Sequence, residues 1–583
     1  MDISIFKKKI ILYTGGRLCD SVDEVLASEV FREIVQDCVE ELKRKRSLLL
    51  GIFHDPENVD DEDIAVLTET LQYLAKLDAS RVVDTVKGAS SLLENPSLMN
   101  KFVMHLYDYW RGFERYLIMD DDGAGDGSPS YRYFTRQVQQ FTDMVRTAYR
   151  VIRENITGSH PLVYRQLSAG AKIAAVCRRG EINLPEKYRR VLGEARILRQ
   201  VLLYPTLIFD PPMNKRAGRF VKIDVNPLEY AEFDPGRWLC FPALVGPMLM
   251  HVYFSEPFFD LGFTLCNLFE IARDEDLGRR PDAVYLFGVP GNSLDGLAEY
   301  PTVFHYDESN DIFVGACPDR DEYGYFGYLK KMMLTLHNAR MIQQGRMPFH
   351  GALYQIFIKG GIEATVLMIG DSGAGKSETI EAFRVLGDDM IRDLVIVADD
   401  MGSLDISPDG KVLGYGTEIG AFIRLDDITP GFAFRRIDRS IIMSPGKTNT
   451  RLVLPVSTID EINLGHGVEY VFYANNYEEV DEEHPVIERF SSPEEALAVF
   501  REGTVMSKGT TASKGIAHSY FANIFGPPQY RREHDAIART YFDALFNTGA
   551  FVGQIRTRLG IPGWEQSGPD AAARELLKLI SGG

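Results

Sequence analysis

The sequence predicts an α/β protein in which a mainly α-helical N-terminal region precedes two parts that mix helices with strands. Three observations support this class: amphipathic runs in the first third, short β-rich runs from about residue 216, and regular alternation of strand and helix signals after about residue 346. With 583 residues the chain is long enough for two or three domains, each with its own core. We expect domains at residues 1–155, 156–345 and 346–583.

The first domain is predicted to be helical from about residue 20 to residue 155. Its segment EVLASEVFREIVQDCVEELKRKR places apolar residues three and four positions apart, with charges on the other face. The Gly-, Asp- and Ser-rich stretch at residues 120–130 predicts a loop, and a second helical stretch is expected to reach about residue 205. The pattern indicates a packing or oligomerisation module. An oligomer contact or a protein partner through this region stays open, and the sequence does not define its role.

The two later domains carry most of the strand signals. The middle domain contains RFVKIDV, DAVYLFGV and DIFVGAC, which are separated by Pro and Gly turns and predict strands of a mixed α/β fold. The last domain contains ATVLMIG, LVIVADD, RLVLPV and VEYVFYAN, which predict buried strands that alternate with helices. This alternation is typical of a sheet covered by helices.

The charge balance excludes two classes of partner. Lys and Arg number 64 against 83 Asp and Glu, and the resulting net charge of −19 repels nucleic acid and anionic membrane surfaces. An anionic substrate would therefore need a local cationic pocket. The 6 cysteines include no C-x-x-C pair, which argues against a zinc ribbon and fits a reducing compartment. Because we find no signal-peptide pattern and no uninterrupted apolar run long enough for a bilayer, we expect a soluble, cytoplasmic protein.

The most specific local pattern is G-x-x-x-x-G-K-S inside VLMIGDSGAGKSETIEAF. A strand signal precedes it and helical spacing follows it, so backbone N–H groups and a helix N-terminus would converge on a phosphate. Lys376 would place a cation on the β- and γ-phosphates of ATP, and the Ser377 hydroxyl would bind Mg²⁺. The residues that we expect to contact the nucleotide are Gly370, Asp371, Ser372, Gly373, Ala374, Gly375, Lys376, Ser377 and Glu378.

Six more residues are candidates for the same site. They are Lys330, Lys331, His350, Asp399, Asp400 and Arg451. Asp399 and Asp400 end an apolar run, where a carboxylate at the carboxyl end of a strand can hold a nucleotide-bound metal ion. The lysine pair begins an apolar helical run, His350 directly precedes the strand before the loop, and Arg451 opens a strand, where a guanidinium can bind phosphate or carboxylate oxygens.

These elements occur in the order found in the phosphoenolpyruvate carboxykinase and HPr kinase superfamily. The chain resembles the ATP-type phosphoenolpyruvate carboxykinases over about residues 280–583. The segments that carry this resemblance are YFGYLKKMM (325–333), His350, GDSGAGKSE (370–378), ADD (398–400), TNTRLVLPV (448–456), GHGVEYVFYAN (465–475) and the stretch 503–526. HPr kinases match better inside the loop itself, and the segments similar to theirs are HGAL (350–353), GDSGAGKSE and VADD (397–400).

The resemblance implies a phosphoenolpyruvate carboxykinase-like P-loop nucleotide-binding domain of mixed sheet and a mechanism with two metal ions. By this resemblance Lys331, His350 and Asp400 would bind Mn²⁺, and Ser377 would bind the nucleotide Mg²⁺. One departure concerns the loop, because Ser377 and Glu378 replace the usual Thr-Thr pair.

The resemblance also implies a small anionic substrate. Lys330 and Arg451 would meet this substrate and the transferring phosphoryl group, with Lys376 on the nucleotide. The family's substrate-binding arginine has no counterpart in the matched segments. The most informative structural observation is whether an arginine from residues 1–280 enters the pocket beside Lys330 and Arg451.

Three functions stay open at this point. In the carboxykinase reaction, oxaloacetate loses CO₂ and the resulting enolate takes the γ-phosphoryl group of ATP, so no general base is required. In an HPr kinase-like reaction, a hydroxyl on a protein or small molecule is the acceptor, and Asp399 or Asp400 would take its proton. A regulatory protein that binds ATP without turnover is the third. We favour carboxykinase-like chemistry, because the lysine pair and Arg451 exceed what nucleotide binding alone requires.

Overall fold

The structure is a computed structural model that describes residues 2–15, 18–121, 130–180, 182–216, 218–371, 373–386, 390–425, 437–508, 514–524 and 529–582. Its internal contacts divide the chain into two compact units. Unit 1 comprises Met1–Arg179 and Leu198–Tyr204, and unit 2 comprises Gly180–Ile197 and Pro205–Gly583. The three expected domains stay a prediction, since compactness alone does not fix where functional domains begin.

Unit 1 packs helices beside a short sheet. Its elements are β1 (Asp2–Phe6), β2 (Lys9–Thr14), α1 (Val22–Leu26), α2 (Glu29–Arg44), α3 (Asp61–Leu74), α4 (Ala79–Thr85), α5 (Ala89–Leu93), α6 (Pro96–Gly112), β3 (Glu114–Asp120), α7 (Ser130–Thr157) and β4 (Ile173–Arg178). Strand β2 pairs antiparallel with β1 and parallel with β3, and β3 pairs parallel with β4. Helix α2 starts at the N-cap Ser28 and buries one apolar face, as its periodicity predicts.

Two expectations for the N-terminal third are wrong. Strand β3 lies inside the region predicted to be helical, and the helical stretch expected to reach residue 205 ends at Thr157, with β4 following it. Both strands are apolar runs buried on both faces of a parallel sheet, and such runs lack the alternation that separates a strand from a buried helix. Of the loop predicted at 120–130, residues 122–129 lie outside the described residues.

The first part of unit 2 is a mixed sheet with helix α11 beside it. Its elements are α8 (Glu186–Leu192), β5 (Arg196–Leu203, of which Arg196 and Ile197 belong to unit 2), β6 (Leu207–Phe209), β7 (Val221–Lys222), β8 (Trp238–Val245), β9 (Met248–Ser255), α9 (Phe259–Thr264), β10 (Glu270–Ile271), α10 (Asp274–Leu277), β11 (Ala283–Val289), β12 (Val303–Asp307), β13 (Ile312–Pro318) and α11 (Phe326–Gln343). Within unit 2 the strand order is β5-β8-β9-β11-β13-β12-β7, with β10 on β8. Helix α11 is almost wholly buried, although it carries several polar and charged residues.

The rest of unit 2 forms a second mixed sheet and two smaller ones. Its elements are β14 (Met347–Ile358), β15 (Ile362–Ile369), α12 (Lys376–Leu386), β16 (Ile391–Ala398), β17 (Met401–Ile406), β18 (Val412–Gly416), β19 (Gly420–Arg424), β20 (Ile441–Met443), β21 (Arg451–Pro455), α13 (Ile459–Asn463), β22 (His466–Gly467), β23 (Tyr470–Asn475), β24 (Ile487–Arg489), α14 (Pro493–Glu502), β25 (Thr504–Lys508), β26 (Lys514–His518), α15 (Arg531–Asn547), β27 (Phe551–Arg556) and α16 (Ser567–Ile580). The second sheet has the order β22-β18-β17-β14-β15-β23-β27-β24, with β16 also on β14. The smaller sheets are β19-β21-β20-β6 and β25-β26.

The predicted mixed α/β class is confirmed, and the mixed pairing determines where the site can form. Strand β15 pairs antiparallel with β14 and parallel with β23, which in turn runs parallel to β27. The carboxyl ends of β15, β23 and β27 therefore share one edge, where ligands of open α/β sheets bind. Within the described residues, no helix has the length and apolar character needed to cross a membrane.

Strand β14 changes its partner close to this edge. Its first residues, Met347–His350, pair with β17, while Leu353–Ile358 pair with β16. The short turn Asp399–Asp400 joins β16 to β17, so it lies beside the point where β14 passes from one partner to the other. The Gly351 N–H donates to the Asp400 carbonyl at 3.0 Å and fixes this turn against β14.

Candidate active site

The phosphate-binding pattern forms the turn between β15 and α12. The Gly370 N–H donates to the His350 carbonyl at 3.1 Å, so the first residue of the loop, directly after β15, is held against β14. The loop ends at Lys376, the first residue of α12, and Ser377 follows it as an exposed residue of the first helical turn. Ser372 lies outside the described residues. The strand and helix that the sequence predicts around this loop are present.

Two residues that the sequence reasoning missed hold the loop from the neighbouring strands. Asn476, directly after β23, donates to the Gly373 carbonyl at 2.9 Å, and Thr557, directly after β27, donates to the Ala374 carbonyl at 2.8 Å. Both side chains are fully buried. The signal was present in the sequence, since each polar residue directly follows an apolar strand parallel to β15.

Both the backbone conformation at position 375 and the neighbouring Thr557 side chain require glycine there. Its φ of +97° lies in the left-handed region, and a Cβ added there would lie 2.6 Å from Thr557 Cβ. We expect Gly375→Ala to push the loop off Thr557, weaken ATP binding at least about tenfold and lower the thermal midpoint.

Gly361→Ala is the matched control for this variant. Gly361 has a similar φ of +88° but meets no atom within 4 Å, so it reports backbone strain without a clash. Equal ATP affinity in the two variants, measured by isothermal titration calorimetry, would show that the contact with Thr557 does not matter.

Lys376 is buried and bonded to its own loop. Its Nζ donates to the carbonyls of Gly370 at 2.7 Å and Asp371 at 3.0 Å. The ammonium group is thus held at the mouth of the loop by carbonyls, and a nucleotide phosphate would compete with them for it. Thr379 closes the first turn of α12 by donating to the Gly375 carbonyl at 2.7 Å.

Lys330 lies between the half-buried carboxylate of Asp400 and the buried carboxylate of Glu418. Its Nζ is 2.9 Å from Asp400 Oδ2 and 3.1 Å from Glu418 Oε1, and its side chain is 3% exposed. The Glu418 contact is an ion pair outside hydrogen-bond geometry. Glu418 follows β18 in the segment GTEIG, which carries no pattern that would have predicted it.

The charges of Lys330, Asp400 and Glu418 shift one another's pKa values. Burial alone would lower the pKa of Lys330, but Asp400 and Glu418 outweigh it and raise that pKa above its ordinary value. Burial likewise opposes ionisation of Asp400, yet Lys330 and His350 hold its pKa well below its usual range. For Glu418 burial dominates, and it raises the pKa to about 7 in spite of Lys330. Asp400 therefore stays ionised, while Glu418 can hold a proton near neutral pH.

His350 is oriented from two sides. Its Nδ1 donates to the Ala522 carbonyl, which can only accept, so the hydrogen on that nitrogen is assigned. Its Nε2 lies 3.0 Å from Asp400 Oδ1, a contact that needs a proton or a cation between the two atoms. Phe521, Ala522 and Asn523 all have left-handed φ values, between 46° and 59°, so a strained turn presents the carbonyl.

Lys331 has the electrostatic setting of an amine that can lose its proton. Burial lowers its pKa to about 8, and Arg216 and Lys330 contribute to the lowering while Asp400 opposes it. Arg216 comes from the segment before β7 and lies over the Phe220 ring, with 4.8 Å between the guanidinium carbon and the ring centroid. It is an arginine from residues 1–280, and its charge acts on the lysine pair.

Hydrogen bonds on both sides fix the segment that carries Arg216. The Gly218 N–H donates to the Tyr328 hydroxyl at 3.0 Å, which ties the segment to α11. On the other side, Asn449 Nδ2 donates to the Asn214 carbonyl at 2.6 Å, which ties it to the turn before Arg451. Sequence reasoning did not select Arg216, because this position is set by contacts between distant segments.

Arg451 joins the site through Phe422. The guanidinium carbon of Arg451 lies 5.1 Å from the Phe422 ring centroid, and Lys330 Nζ lies 5.6 Å from the same ring. Arg451 Nε is buried and has no hydrogen-bond partner among the described residues. A buried guanidinium N–H without a partner favours an anionic ligand at this position.

The other predicted site residues are Asp371, Asp399 and Glu378, and the structure relates the first two to the group around Lys330. Asp371 Oδ1 is 4.0 Å from His350 Nδ1, so the nucleotide loop and the predicted metal ligands adjoin. Asp399 is near enough to Glu418 to raise its pKa. Glu378 lies in the first turn of α12.

Two of the predicted Mn²⁺ ligands, His350 and Asp400, have the chemistry and spacing of neighbouring ligands of one metal ion. In an octahedral site with ligand distances of about 2.1 Å, adjacent ligand atoms lie about 3 Å apart, which matches the 3.0 Å between His350 Nε2 and Asp400 Oδ1. The Nδ1–H bond to Ala522 leaves Nε2 as the ligand atom, and Lys331 can supply a neutral amine. Among the described residues no three His, Cys, Asp or Glu side chains form a metal-binding group, so the fit depends on the lysine.

Comparison with known proteins does not extend these observations. No protein-family model matches the chain, and no curated protein matches its sequence. The site described above is therefore the basis for any functional conclusion.

Proposed function

We propose that this protein is an ATP-dependent phosphotransferase of the phosphoenolpyruvate carboxykinase type, with a phosphoenolpyruvate carboxykinase-like P-loop domain. It would convert oxaloacetate and ATP to phosphoenolpyruvate, ADP and CO₂, or act on a closely related anionic substrate. The observation that carries the proposal is the group Lys330, Lys331, His350 and Asp400 beside the phosphate loop, of which Lys330 and His350 are buried and the other two half-buried. ATP binding alone requires none of these four side chains.

The ionisation of Asp400 favours this reaction over one in which Asp400 acts as the base. Asp400 accepts from Lys330 and faces His350, and its pKa lies well below the usual range, so it is a weak proton acceptor. Decarboxylation of oxaloacetate generates the nucleophile without any base. A site whose candidate base is held ionised by cations suits that chemistry.

The protein's part in this mechanism is positioning and charge neutralisation. Lys376 and the loop N–H groups would hold the phosphates, and Arg451 would meet the transferring phosphoryl group. Lys331, His350 and Asp400 would hold Mn²⁺, and Ser377 would hold Mg²⁺. When bound, these ions would neutralise charge on the phosphoryl group and on the substrate oxygens.

Arg216 supplies the anion-binding group that the resemblance left unassigned. It contributes a positive charge next to Lys331, and burial lowers its own pKa, so a carboxylate partner would be favourable there. In a chain of net charge −19, this group of cations is the local pocket that an anionic substrate needs.

The proposal is tested with the purified protein in Mn²⁺, Mg²⁺, ADP, phosphoenolpyruvate and bicarbonate. We expect ATP and oxaloacetate to form in equal amounts, measured by luciferase and by malate dehydrogenase coupling. Tight ATP binding without turnover of either phosphoenolpyruvate or oxaloacetate would contradict the carboxykinase proposal and leave the other two functions.

An HPr kinase-like function is the second candidate, and Glu418 favours it. A buried carboxyl whose pKa is about 7 can accept a proton at neutral pH, as a kinase base must. Phosphorus NMR of ATP incubated with hydroxyl-bearing acceptors would detect this activity. Loss of that transfer in Glu418→Gln, with ATP affinity retained, would support it.

Metal binding should depend on pH through Lys331. Only the neutral amine can bind a metal ion, and the pKa of about 8 means that the neutral form grows as pH rises toward 8 and levels off above it. We expect the apparent Mn²⁺ affinity, measured by electron paramagnetic resonance, to rise about tenfold per pH unit below that pKa from this group.

Lys331→Met and Lys411→Met provide the comparison for this measurement. Lys331→Met should bind Mn²⁺ more weakly and lose the part of the pH dependence that belongs to the amine. Lys411 has a side chain 71% exposed, so its replacement should leave the profile unchanged. Identical pH profiles for all three proteins would exclude Lys331 as a ligand.

A further inference from the structure

Unit 2 carries an open surface groove that the proposed function does not use. Its volume is about 720 Å³, and its lining comes mainly from the last turn of α14 and the first half of α15. The chain as a whole has a net charge of −19, yet cations dominate here, so we call this feature the arginine groove. Four arginines and two carboxylates line it, namely Arg501, Arg531, Arg532, Arg539, Glu533 and Asp535.

The carboxylates of the arginine groove do not neutralise its arginines. Asp535 accepts two hydrogen bonds from Arg501, at 2.7 Å from Nε and 3.0 Å from Nη2. Arg531, Arg532 and Arg539 are exposed, and no carboxylate of the described residues forms an ion pair with any of them. Four arginines against two carboxylates leave a net charge of +2 at the groove.

Arg531 is held in place by the side chains beneath it. Its guanidinium carbon lies 4.5 Å from the centroid of the Tyr520 ring. The Tyr520 hydroxyl lies 2.9 Å from Nδ1 of His534, and Nε2 of this histidine donates to the Pro348 carbonyl at 3.1 Å. Burial lowers the pKa of His534 to about 4, so the ring is neutral and Nδ1 accepts from the hydroxyl. Because Tyr520 is fixed in this way, Arg531 loses little freedom when it binds a ligand.

The first turn of α15 brings backbone donors to the same place. Arg531 and Arg532 are the first two residues of this 17-residue helix, where the helix dipole disfavours cations. The N-cap residue, Tyr530, makes no side-chain hydrogen bond to the first turn. An anion at this end would accept from first-turn N–H groups and would offset the repulsion between the two arginines.

The arginines are spread along the groove. Arg532 and Arg539 lie seven positions apart in α15, so they share one face and are separated by about 10 Å along the helix axis. Arg501 comes from α14, and its Nη1 is not used in the pair with Asp535. A ligand with several anionic groups can therefore contact more of these cations than one phosphate ion can.

We propose that the arginine groove binds a small anion that carries at least two phosphate groups, at a site whose residues are distinct from those of the phosphate loop. A phosphate group presents three acceptor oxygens, which suits converging guanidinium forks and backbone N–H groups better than the two oxygens of a carboxylate. The volume of about 720 Å³ lies within the usual range for small-molecule sites. The net charge of +2 matches an anion of more than one charge.

The probe is inorganic tripolyphosphate, titrated by isothermal titration calorimetry into the full chain without divalent metal ions. We expect two bound equivalents, one at the phosphate loop and one at the arginine groove. Arg532→Ala combined with Arg539→Ala should remove one equivalent, and orthophosphate should bind the groove at least about tenfold more weakly than tripolyphosphate. A stoichiometry that the double variant leaves unchanged would overturn the proposal, as would orthophosphate binding of equal strength.

The same titration keeps this proposal apart from the proposed function. If the phosphate loop did not bind phosphates, the unaltered chain would bind one equivalent, and Arg532→Ala with Arg539→Ala would lose it. Loss of an equivalent in that variant therefore supports the groove whether the unaltered chain binds one equivalent or two.

Arg392→Ala combined with Arg574→Ala is the matched control. Both arginines are exposed residues of unit 2 outside the groove, so this pair changes the net charge equally and should bind as the unaltered chain does. An equal loss in both pairs would show a nonspecific charge effect and overturn the proposal. A hexaglutamate peptide tests a protein segment as the other occupant, and tighter binding of that peptide than of tripolyphosphate would also overturn the proposal.

Discussion

Replacing Lys376 with alanine is expected to abolish the formation of ATP from ADP and phosphoenolpyruvate. We expect kcat/KM to fall by about 10³-fold or more, because the variant lacks the cation that, in the proposed reaction, would meet the β- and γ-phosphates as charge shifts between them. The loss should appear mainly in kcat, since the loop N–H groups and α12 still bind the nucleotide. The coupled luciferase assay, run with saturating Mn²⁺ and Mg²⁺, measures it.

This variant should also lose some stability. Lys376 is buried and donates to two loop carbonyls, so alanine leaves these acceptors without their donor, at a cost of about 1–3 kcal/mol. Lys411→Ala, at an exposed lysine of a surface turn, is the matched control and should keep full activity. An active Lys376→Ala protein would exclude the proposed role of the loop, whereas an inactive wild-type protein would exclude the carboxykinase reaction itself.

Replacing Lys330 with methionine is expected to cause the largest loss of stability in the site. Lys330 is the shared cation of Asp400 and Glu418, so its removal leaves the buried Glu418 and the half-buried Asp400 without their cation. We expect a destabilisation of about 3 kcal/mol, seen as a lower thermal unfolding midpoint, together with loss of activity.

A second substitution separates this electrostatic effect from lost packing. In Lys330→Met with Glu418→Gln, one of the two charges is removed with its shape kept, so part of the stability should return. Glu418→Gln alone keeps the pair of Lys330 with Asp400 and should cost less than Lys330→Met. If the double variant is no more stable than Lys330→Met, the pair of carboxylates is not the cause.

The sequence predicted the phosphate loop because its signals are local. A strand, a glycine-rich turn and an amphipathic helix occupy consecutive residues, and β15 and α12 appear where those signals lie. The turn Asp399–Asp400 was also correctly placed after a strand, because an apolar run ends there. The burial of Lys330 was not predictable, since two adjacent lysines on a helix resemble a surface pair until α11 packs into unit 2.

The residues that the sequence reasoning missed come from segments far apart in the chain. Glu418, Arg216 and Ala522 reach the site through the strand order and through loops that carry no pattern of their own. The prediction of helix at β3 and β4 was wrong for another reason. Apolar runs that are buried on both faces show neither the two-residue period of a strand nor the 3.6-residue period of a helix. The residues of a continuous motif were therefore predictable from the sequence. Which distant residues meet them at the site depends on the sheet topology, which the sequence pattern does not show.

The strained turn at Phe521, Ala522 and Asn523 has a consequence for how far this protein can be stabilised. Left-handed conformations at three successive residues other than glycine are unfavourable, and they hold one carbonyl against His350. Selection for thermostability would relax that turn and release the imidazole from its fixed tautomer. Under the proposed function, a substitution that relaxes this turn would therefore be expected to raise the thermal midpoint and lower activity.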